Sequence, residues 1–445
     1  MSKPIVVVSC PIDTYSGYGA RARDFVQSII DTDKYEVKIL SQRWGNTRFG
    51  YLKDHQNESL TSRIVAGLNQ QPDIWIQITV PNEFQKVGKY NIGVTAGIET
   101  TICDATWIEG CNNMDLVIVS SEHAKKVFQE SKFTKQDSNK QVIGEISLKS
   151  KVEVLFEGAD IRKYTPLALP VKLDLDEIDE QFCFLTVGHW LPGAVGEDRK
   201  NIGYTIKSFL ETFKNKPKVK RPALVLKVQA GSGTSIMDRE AVLDKIDSIR
   251  RTVKGDLPNI YVLHGEMTDA EVNELYNHGK VKAMVALTKG EGFGRPLLEF
   301  SLVNKPIITS AWSGHIDFLD KEFVKYIGGS LTQVHPSAAI DKMILRESSW
   351  FSVDPIEVGR AYKDIYDNYE KWKTLAKRQG HKSRTQFSYE SMRDTLNTIL
   401  TQYIPEFPKQ MQLKLPQLKK VGAPQARQIE LPQLKKVELP KLQKI

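Results

Sequence analysis

The sequence predicts an α/β protein: two Rossmann-like halves facing across a cleft, then a helical segment and a basic repeat tail. Three observations carry this. Strand-like apolar runs alternate with stretches of helical apolar spacing, the pattern of a parallel doubly wound sheet. The alternation breaks at residues 165–180 (TPLALPVKLDLDEIDE), where two prolines and an acidic run mark a linker, and then restarts. Near the end, proline recurs every eight residues, at Pro408, Pro416, Pro424, Pro432 and Pro440. The expected division is residues 1–165, a linker at 166–180, a second half at 181–350, helices crossing back at 351–405, and the tail at 406–445.

The elements follow in order. Residues 4–10, around Ile5-Val6-Val7-Val8, read as a buried strand. The loop with Gly17-Tyr18-Gly19 leads to Phe25, Val26, Ile29 and Ile30 at helical spacing. Strands are expected at 35–40, 74–78, 91–96, 116–119 and 152–156. After the linker, strands are expected at 182–187, 223–228, 259–263, 281–287 and 306–309, with a helix at 201–213. Thr268-Asp269-Ala270-Glu271 spells a capping box, and Gly279 is expected to stop that helix. In such sheets ligands sit beyond the carboxyl ends of the strands.

Composition narrows the class. The chain has 445 residues, 40% of them hydrophobic, 9% aromatic and 26% charged, which excludes wholesale disorder, collagen and a disulfide-dense miniprotein. No apolar run reaches the roughly 18 residues of a membrane span. The first apolar run is too short for a signal peptide, so a cytoplasmic protein is expected. The scattered Cys10, Cys103, Cys111 and Cys183 read as buried thiols. The eight histidines form no metal-binding spacing, so no metal site is expected.

The net charge of +8 invites a nucleic-acid reading, but its location redirects it. Residues 409–445 hold nine basic and two acidic residues, +7 in all, leaving +1 for residues 1–408. The tail consensus is roughly Q-L-K-K-V-E-L-P. Proline at that period forbids a continuous helix. Without Trp, Tyr or Phe, residues 409–445 cannot stack on bases. A disordered basic tail is one reading. The other is a tether that gains avidity from repeated weak contacts with a protein partner, or with DNA or a membrane surface through charge.

The chemistry concentrates in Leu287 to Phe300 (LTKGEGFGRPLLEF). A strand ends, a loop with Gly290, Gly292 and Gly294 follows, and Pro296 suits the first turn of a helix. Backbone N–H groups from Phe293 to Arg295 would form an anion site. Glu291 in the loop and Glu299 one turn into the helix can face one cleft. Two carboxylates beside an anion site suit a nucleotide sugar, which carries both hydroxyls and a diphosphate.

Spelled E-G-F-G-R-P-L-L-E, Glu291 to Glu299 resembles the signature of family-4 retaining glycosyltransferases of the GT-B fold. The likeness spans about residues 1–405. Asn259 to Gly265, Leu275-Tyr276 and Lys305 to Ser310 resemble the segments flanking that signature. Phe184 to Gly188 with Arg199-Lys200-Asn201 resembles the start of the family's second domain, and Val154 to Asp160 the end of its first. Gly97-Ile98-Glu99, Trp107 and Asp115 to Glu122 are similar to its acceptor-side domain. Ser9 to Gly19 is similar to glycosyltransferases encoded by large tailed bacteriophages.

The resemblance implies roles. Glu291 would hold the donor sugar's hydroxyls, and Glu299 the ribose. Arg199 and Lys200 would neutralise the leaving diphosphate. Gly17, Gly19, Gly188, Gly292, Phe293, Gly294 and Arg295 would line the donor site, with His264 and Gly265 beside the base. Glu99, Asp104 and Trp107 would face the acceptor, although Trp107 also reads as a packing residue. It implies no cofactor and no metal, the nucleotide-diphospho-sugar being the donor substrate. The acceptor stays open between glycan, lipid carrier, protein and modified DNA base. Two departures stand out. Gly188-His189-Trp190 replaces the family's Gly-Arg-Leu, and Glu99-Thr100 stands where many members carry a histidine. They keep open the alternative of a catalytically silent scaffold acting through the repeat tail.

Overall fold

The computed structural model describes residues 3–45, 47–137, 139, 141–231 and 235–407. The octad tail, and every expectation about it, lies outside the described residues.

The first half begins with β1 (Ile5–Cys10), whose Val6, Val7 and Val8 are all buried. Ser16 then caps α1 (Gly17–Asp31), its hydroxyl accepting the N–H of Gly19 at 2.9 Å. Helix α1 buries Phe25, Val26 and Ile29, the stripe its spacing predicts. The chain continues through β2 (Glu36–Ser41), the short helices α2 (Tyr51–Asp54) and α3 (Glu58–Thr61), and β3 (Ile74–Ile78). Next come β4 (Tyr90–Thr95), α4 (Ala105–Asn112), β5 (Leu116–Val119) and α5 (Glu122–Glu130). An exposed antiparallel hairpin, β6 (Phe133–Gln136) and β7 (Val142–Ile146), precedes β8 (Lys151–Val154). The sheet order is β2-β1-β3-β4-β5-β8, and every pairing is parallel.

The second half runs through β9 (Cys183–His189), α6 (Ile202–Phe213), β10 (Ala223–Gln229), α7 (Ile236–Thr252) and β11 (Ile260–Val262). It continues with α8 (Asp269–Asn277), β12 (Val281–Ala286), α9 (Arg295–Ser301), β13 (Ile307–Ser310) and β14 (Lys325–Ile327). These strands form a second all-parallel sheet, β11-β10-β9-β12-β13-β14. The order reverses between β9 and β12, so the loops leaving those strands part in opposite directions and open a crevice. One apolar layer packs Phe184, Phe209, Phe213 and Tyr362 on this sheet, and the opposite layer packs Leu185, Tyr276, Phe300 and Phe318.

The linker is firmly held. Leu167 N–H donates to Asn277 at 2.8 Å and Leu173 N–H to Glu274 at 2.8 Å, both on α8. Leu175 and Ile178 are buried in the second half's core. The predicted capping box forms, with the Thr268 hydroxyl and Glu271 carboxylate each accepting the other's backbone N–H. Gly279 does not stop that helix. It ends at Asn277, and His278 turns the chain with extended dihedrals, φ −53° and ψ 136°. Gly279 is not among the left-handed glycines, so its conformational freedom is not what ends the helix.

After β14 comes an antiparallel hairpin, β15 (Gly329–Gln333) with β16 (Ser349–Val353). Three helices close the described chain: α10 (Pro355–Asp367), α11 (Tyr369–Gln386) and α12 (Tyr389–Tyr403). Helix α10 packs on α6 of the second half, whereas α12 lies against α1 of the first. Tyr389 N–H donates to the Ala159 carbonyl at 2.9 Å, and the Tyr389 hydroxyl to Asp31 at 2.8 Å. All four cysteines are buried free thiols.

Candidate functional site

The crevice at the β9/β12 reversal is where charge gathers. Beyond β9, Asp198 is fully buried and accepts the first N–H of α6, from Ile202, at 3.1 Å. This anchors the preceding loop, and Arg199 and Lys200 project from it. Beyond β12, the glycine loop carries Glu291. Its carboxylate accepts from Lys200 Nζ at 2.6 Å and Arg199 Nη1 at 3.4 Å. The same Arg199 nitrogen donates to the Gly290 carbonyl at 2.9 Å and lies 3.7 Å from Glu99 of the first half. Burial alone would raise the Glu291 pKa, but Lys200 and Arg199 outweigh it and hold the carboxyl at about 2. Glu99 is raised, by burial first and by the Glu291 charge, against the pull of Arg199 and Lys200. A cavity of about 20 Å³ adjoins the pair, lined by Thr186, Lys200, Thr288, Glu291, Gly294 and Leu297, with room for a single water.

The second carboxylate lies on α9. Glu299 accepts Arg295 Nε–H at 2.8 Å. Arg295 also donates to Asp24 of α1 at 2.6 Å and lies 3.6 Å from Glu157. One guanidinium is therefore shared by three carboxylates. Burial raises the Glu299 carboxyl to about 7; Arg295 pulls against this, while the charges of Asp269 and Asp24 add to it. Arg295 itself is held firmly charged, because its carboxylate neighbours outweigh its burial.

Comparison with known proteins identifies the fold. No described sequence family and no curated protein matches the chain. Solved structures do. Sucrose-phosphate synthase from Thermosynechococcus elongatus gives a TM-score of 0.57 at 13% identity, covering 90% of this chain and 98% of its own. HepE from Anabaena, in complex with UDP and glucose, gives 0.58 at 11% identity, over 89% and 99%. A glycosyltransferase from Rickettsia africae gives 0.56 at 11% identity, over 91% and 99%. The fold is GT-B.

In this GT-B frame the glycine loop meets the first half directly. A Cβ on Gly290 would strike the Glu99 carbonyl, and one on Gly292 the Ala96 carbonyl. Ser120 of the first half donates to the Gly292 carbonyl at 3.0 Å. Gly294, at φ +99°, turns the loop into α9. The Phe293 ring packs against Phe318 with centroids 4.8 Å apart, so only its backbone can serve a ligand.

The other expected residues divide. Gly19 is needed for packing, since a Cβ would strike the Thr14 carbonyl, whereas Gly17 faces open space. Gly188 lies beside the Lys200 stem with room for a Cβ. His264 bonds Asp238 at 2.7 Å, and Gly265, at φ +111°, offers its carbonyl to Lys227. Neither touches the Glu291 cluster through a hydrogen bond. Two residues expected on the acceptor side take structural places, Trp107 in the packing role that its sequence also suggests. Trp107 is 1% exposed and packs against Phe128 inside the first half's core, so it has no face to present. Asp104 is the N-cap of α4, accepting the Thr106 N–H at 2.8 Å.

Sequence reasoning missed Asp24, Glu157, Ser120 and Ser313. Glu157 and Ser120 lie in segments read for their resemblance but given no site role, and Asp24 and Ser313 stand in no local motif. Each is tied to the site by contacts that only the fold creates. The run Phe156-Glu157-Gly158 reads as a domain end, but nothing in it signals a partner at Arg295.

Proposed function

We propose that this protein is a retaining glycosyltransferase that moves a sugar from a nucleotide-diphospho-sugar to an acceptor hydroxyl without a metal. One observation carries this: at the strand-order reversal of a GT-B fold, Lys200 and Arg199 from the loop before α6 meet Glu291 on the loop that leads into α9. The Glu291 carboxylate suits sugar hydroxyls. Arg199 and Lys200 are two partly buried cations beside it, suited to a diphosphate whose charge grows as the glycosidic bond breaks. Glu299 suits a ribose diol. The likeness to HepE, solved in complex with UDP and glucose, supports a nucleotide-sugar donor and places no limit on the base or sugar here.

In the proposed step the acceptor oxygen attacks the anomeric carbon on the face the diphosphate leaves. The carbon–oxygen bond to phosphate breaks, and its electron pair goes to the diphosphate. The acceptor's proton passes to a diphosphate oxygen. Arg199 and Lys200 exchange Glu291 and Glu99 for the diphosphate as it binds, so their charge is kept in the cleft until then. No helix among the described residues is long and apolar enough to cross a membrane.

The test is thermal unfolding against a panel of nucleoside diphosphates and nucleotide sugars, repeated with Glu299→Ala. A donor at 100 times its dissociation constant should stabilise the wild type by about 2.7 kcal/mol. One nucleotide class should shift the wild type and not the variant, and the sugar of that class should be released on incubation. A panel in which nothing shifts and nothing is turned over rejects the proposal.

A further inference from the structure

Ser313 is held in a conformation that belongs to glycine. Its dihedrals, φ +78° and ψ −163°, fall in a region that a Cβ makes costly. The residue is 1% exposed, so its hydroxyl gains nothing from water. Glycine would occupy the position without strain, which makes the side chain the feature to explain. Its Oγ accepts the backbone N–H of Glu291 at 2.9 Å. Gly314, next in the chain, donates its own N–H to the Glu291 carbonyl at 2.9 Å. A Cβ on Gly314 would strike the Gly292 carbonyl, so the contact closes only with glycine there. Three residues earlier, Ser310 Oγ donates to the Thr288 carbonyl at 2.7 Å.

The segment after β13 therefore grips the glycine loop on both sides of Glu291. We infer that Ser313 is a positioning residue: its hydroxyl fixes the backbone of Glu291, and with it the reach of that carboxylate to Lys200, Arg199 and the donor sugar. The Glu291 N–H has no other protein acceptor among the described residues. Without the hydroxyl it is an unpaired buried donor, or takes a water that satisfies it without fixing it. Strain at Ser313 is tolerated because a relaxed glycine leaves Glu291 free to shift.

Two variants separate positioning from plain stability. Ser313→Gly removes the strain and the acceptor; Ser313→Ala keeps the strain and removes the acceptor. The expected melting order is Ser313→Gly at or above wild type, and Ser313→Ala below it. The inference rests on the proposed transferase reading, so two readouts are needed. The first is release of nucleoside diphosphate from UDP-, ADP-, GDP- and dTDP-glucose with no acceptor added. Both variants should lose at least about tenfold in kcat, with donor KM within about twofold of wild type. Turnover that follows stability, with Ser313→Gly as fast as wild type, overturns the inference. The second readout is amide exchange at Glu291, which needs no activity. It should quicken at least about tenfold in Ser313→Gly although that variant melts no lower. Unchanged exchange overturns the inference even if wild type turns over none of the panel, an outcome that would instead count against the transferase reading.

Discussion

Arg295 of α9 donates to Asp24 of α1 at 2.6 Å, so the helix that follows the glycine loop is tied to the first helix of the chain. That guanidinium also serves Glu299 and Glu157. Arg295→Ala would leave three carboxylates facing one another with reduced access to water. Removing one member of a fully buried ion pair costs about 3–5 kcal/mol; with Arg295 20% and Asp24 27% exposed and Arg21 still beside Glu157, chemical denaturation should show a loss below that range. Asp24→Asn should cost less, because Arg295 keeps its other two partners. Equal losses from the two variants would mean that the shared guanidinium matters less than its bond to Asp24.

Stability should fall as pH rises through the range set by Glu299. Burial first, and the nearby Asp269 and Asp24 charges, raise its carboxyl from 4.5 to about 7 against the pull of Arg295. The folded protein then holds a proton that the unfolded chain has released, so stability declines between those two values. Glu299→Gln has no proton to lose and should flatten that part of the curve. Urea unfolding at pH 5, 6, 7 and 8 measures it, and parallel curves for wild type and variant would refute the assignment.

Glu291 has the opposite sign. Its carboxyl is held at about 2, with burial outweighed by Lys200 and Arg199. Its contribution is complete above 4.5 and is lost only as pH falls toward 2. In Glu291→Gln the two cations lose their strongest partner. The variant should bind inorganic pyrophosphate about tenfold more tightly by calorimetry, a gain of about 1.4 kcal/mol. Its donor turnover should nevertheless fall by about a hundredfold or more. Weaker pyrophosphate binding would show that Lys200 and Arg199 do not face the anion.

Gly292→Ala tests the contact between the halves. The new Cβ meets the Ala96 carbonyl, while Ser120 and Gly314 hold the loop in place. Overpacking of this kind costs about 1–3 kcal/mol. The variant should melt lower and scatter as a larger particle in solution. An unchanged radius of gyration with normal turnover would show that the loop can yield.

Most of the two sheets is legible in the sequence, because their strands are short apolar runs separated by helical patterns. The omissions have physical causes. Strand β14 is three residues, Lys325–Ile327, too brief to show a pattern. Strands β7 and β15 are almost wholly exposed and therefore carry no buried face to alternate against. In the site, Glu291 is legible because the loop–helix motif holds it, whereas Arg199 and Lys200 are legible only through the resemblance of their segment to the start of the family's second domain. Asp24, Glu157 and Ser313 are not, because an ion pair between α1 and α9, or a hydroxyl from the segment after β13, leaves no mark at either position. Trp107 reads two ways because an aromatic side chain looks alike whether it lines a cleft or fills a core, and the structure puts it in the core.

Where Gly290 and Gly292 rest on the Glu99 and Ala96 carbonyls, the two halves meet main chain to main chain. Side chains exchange rotamers and repack around a new neighbour; peptide planes do not. That seam is a dead stop, where van der Waals contact between backbone atoms limits how closely the halves approach. Substitutions elsewhere in the cleft can remodel what the cleft accepts while this limit stays put. A lineage built on such a stop can trade one substrate for another without having to relearn how its halves meet.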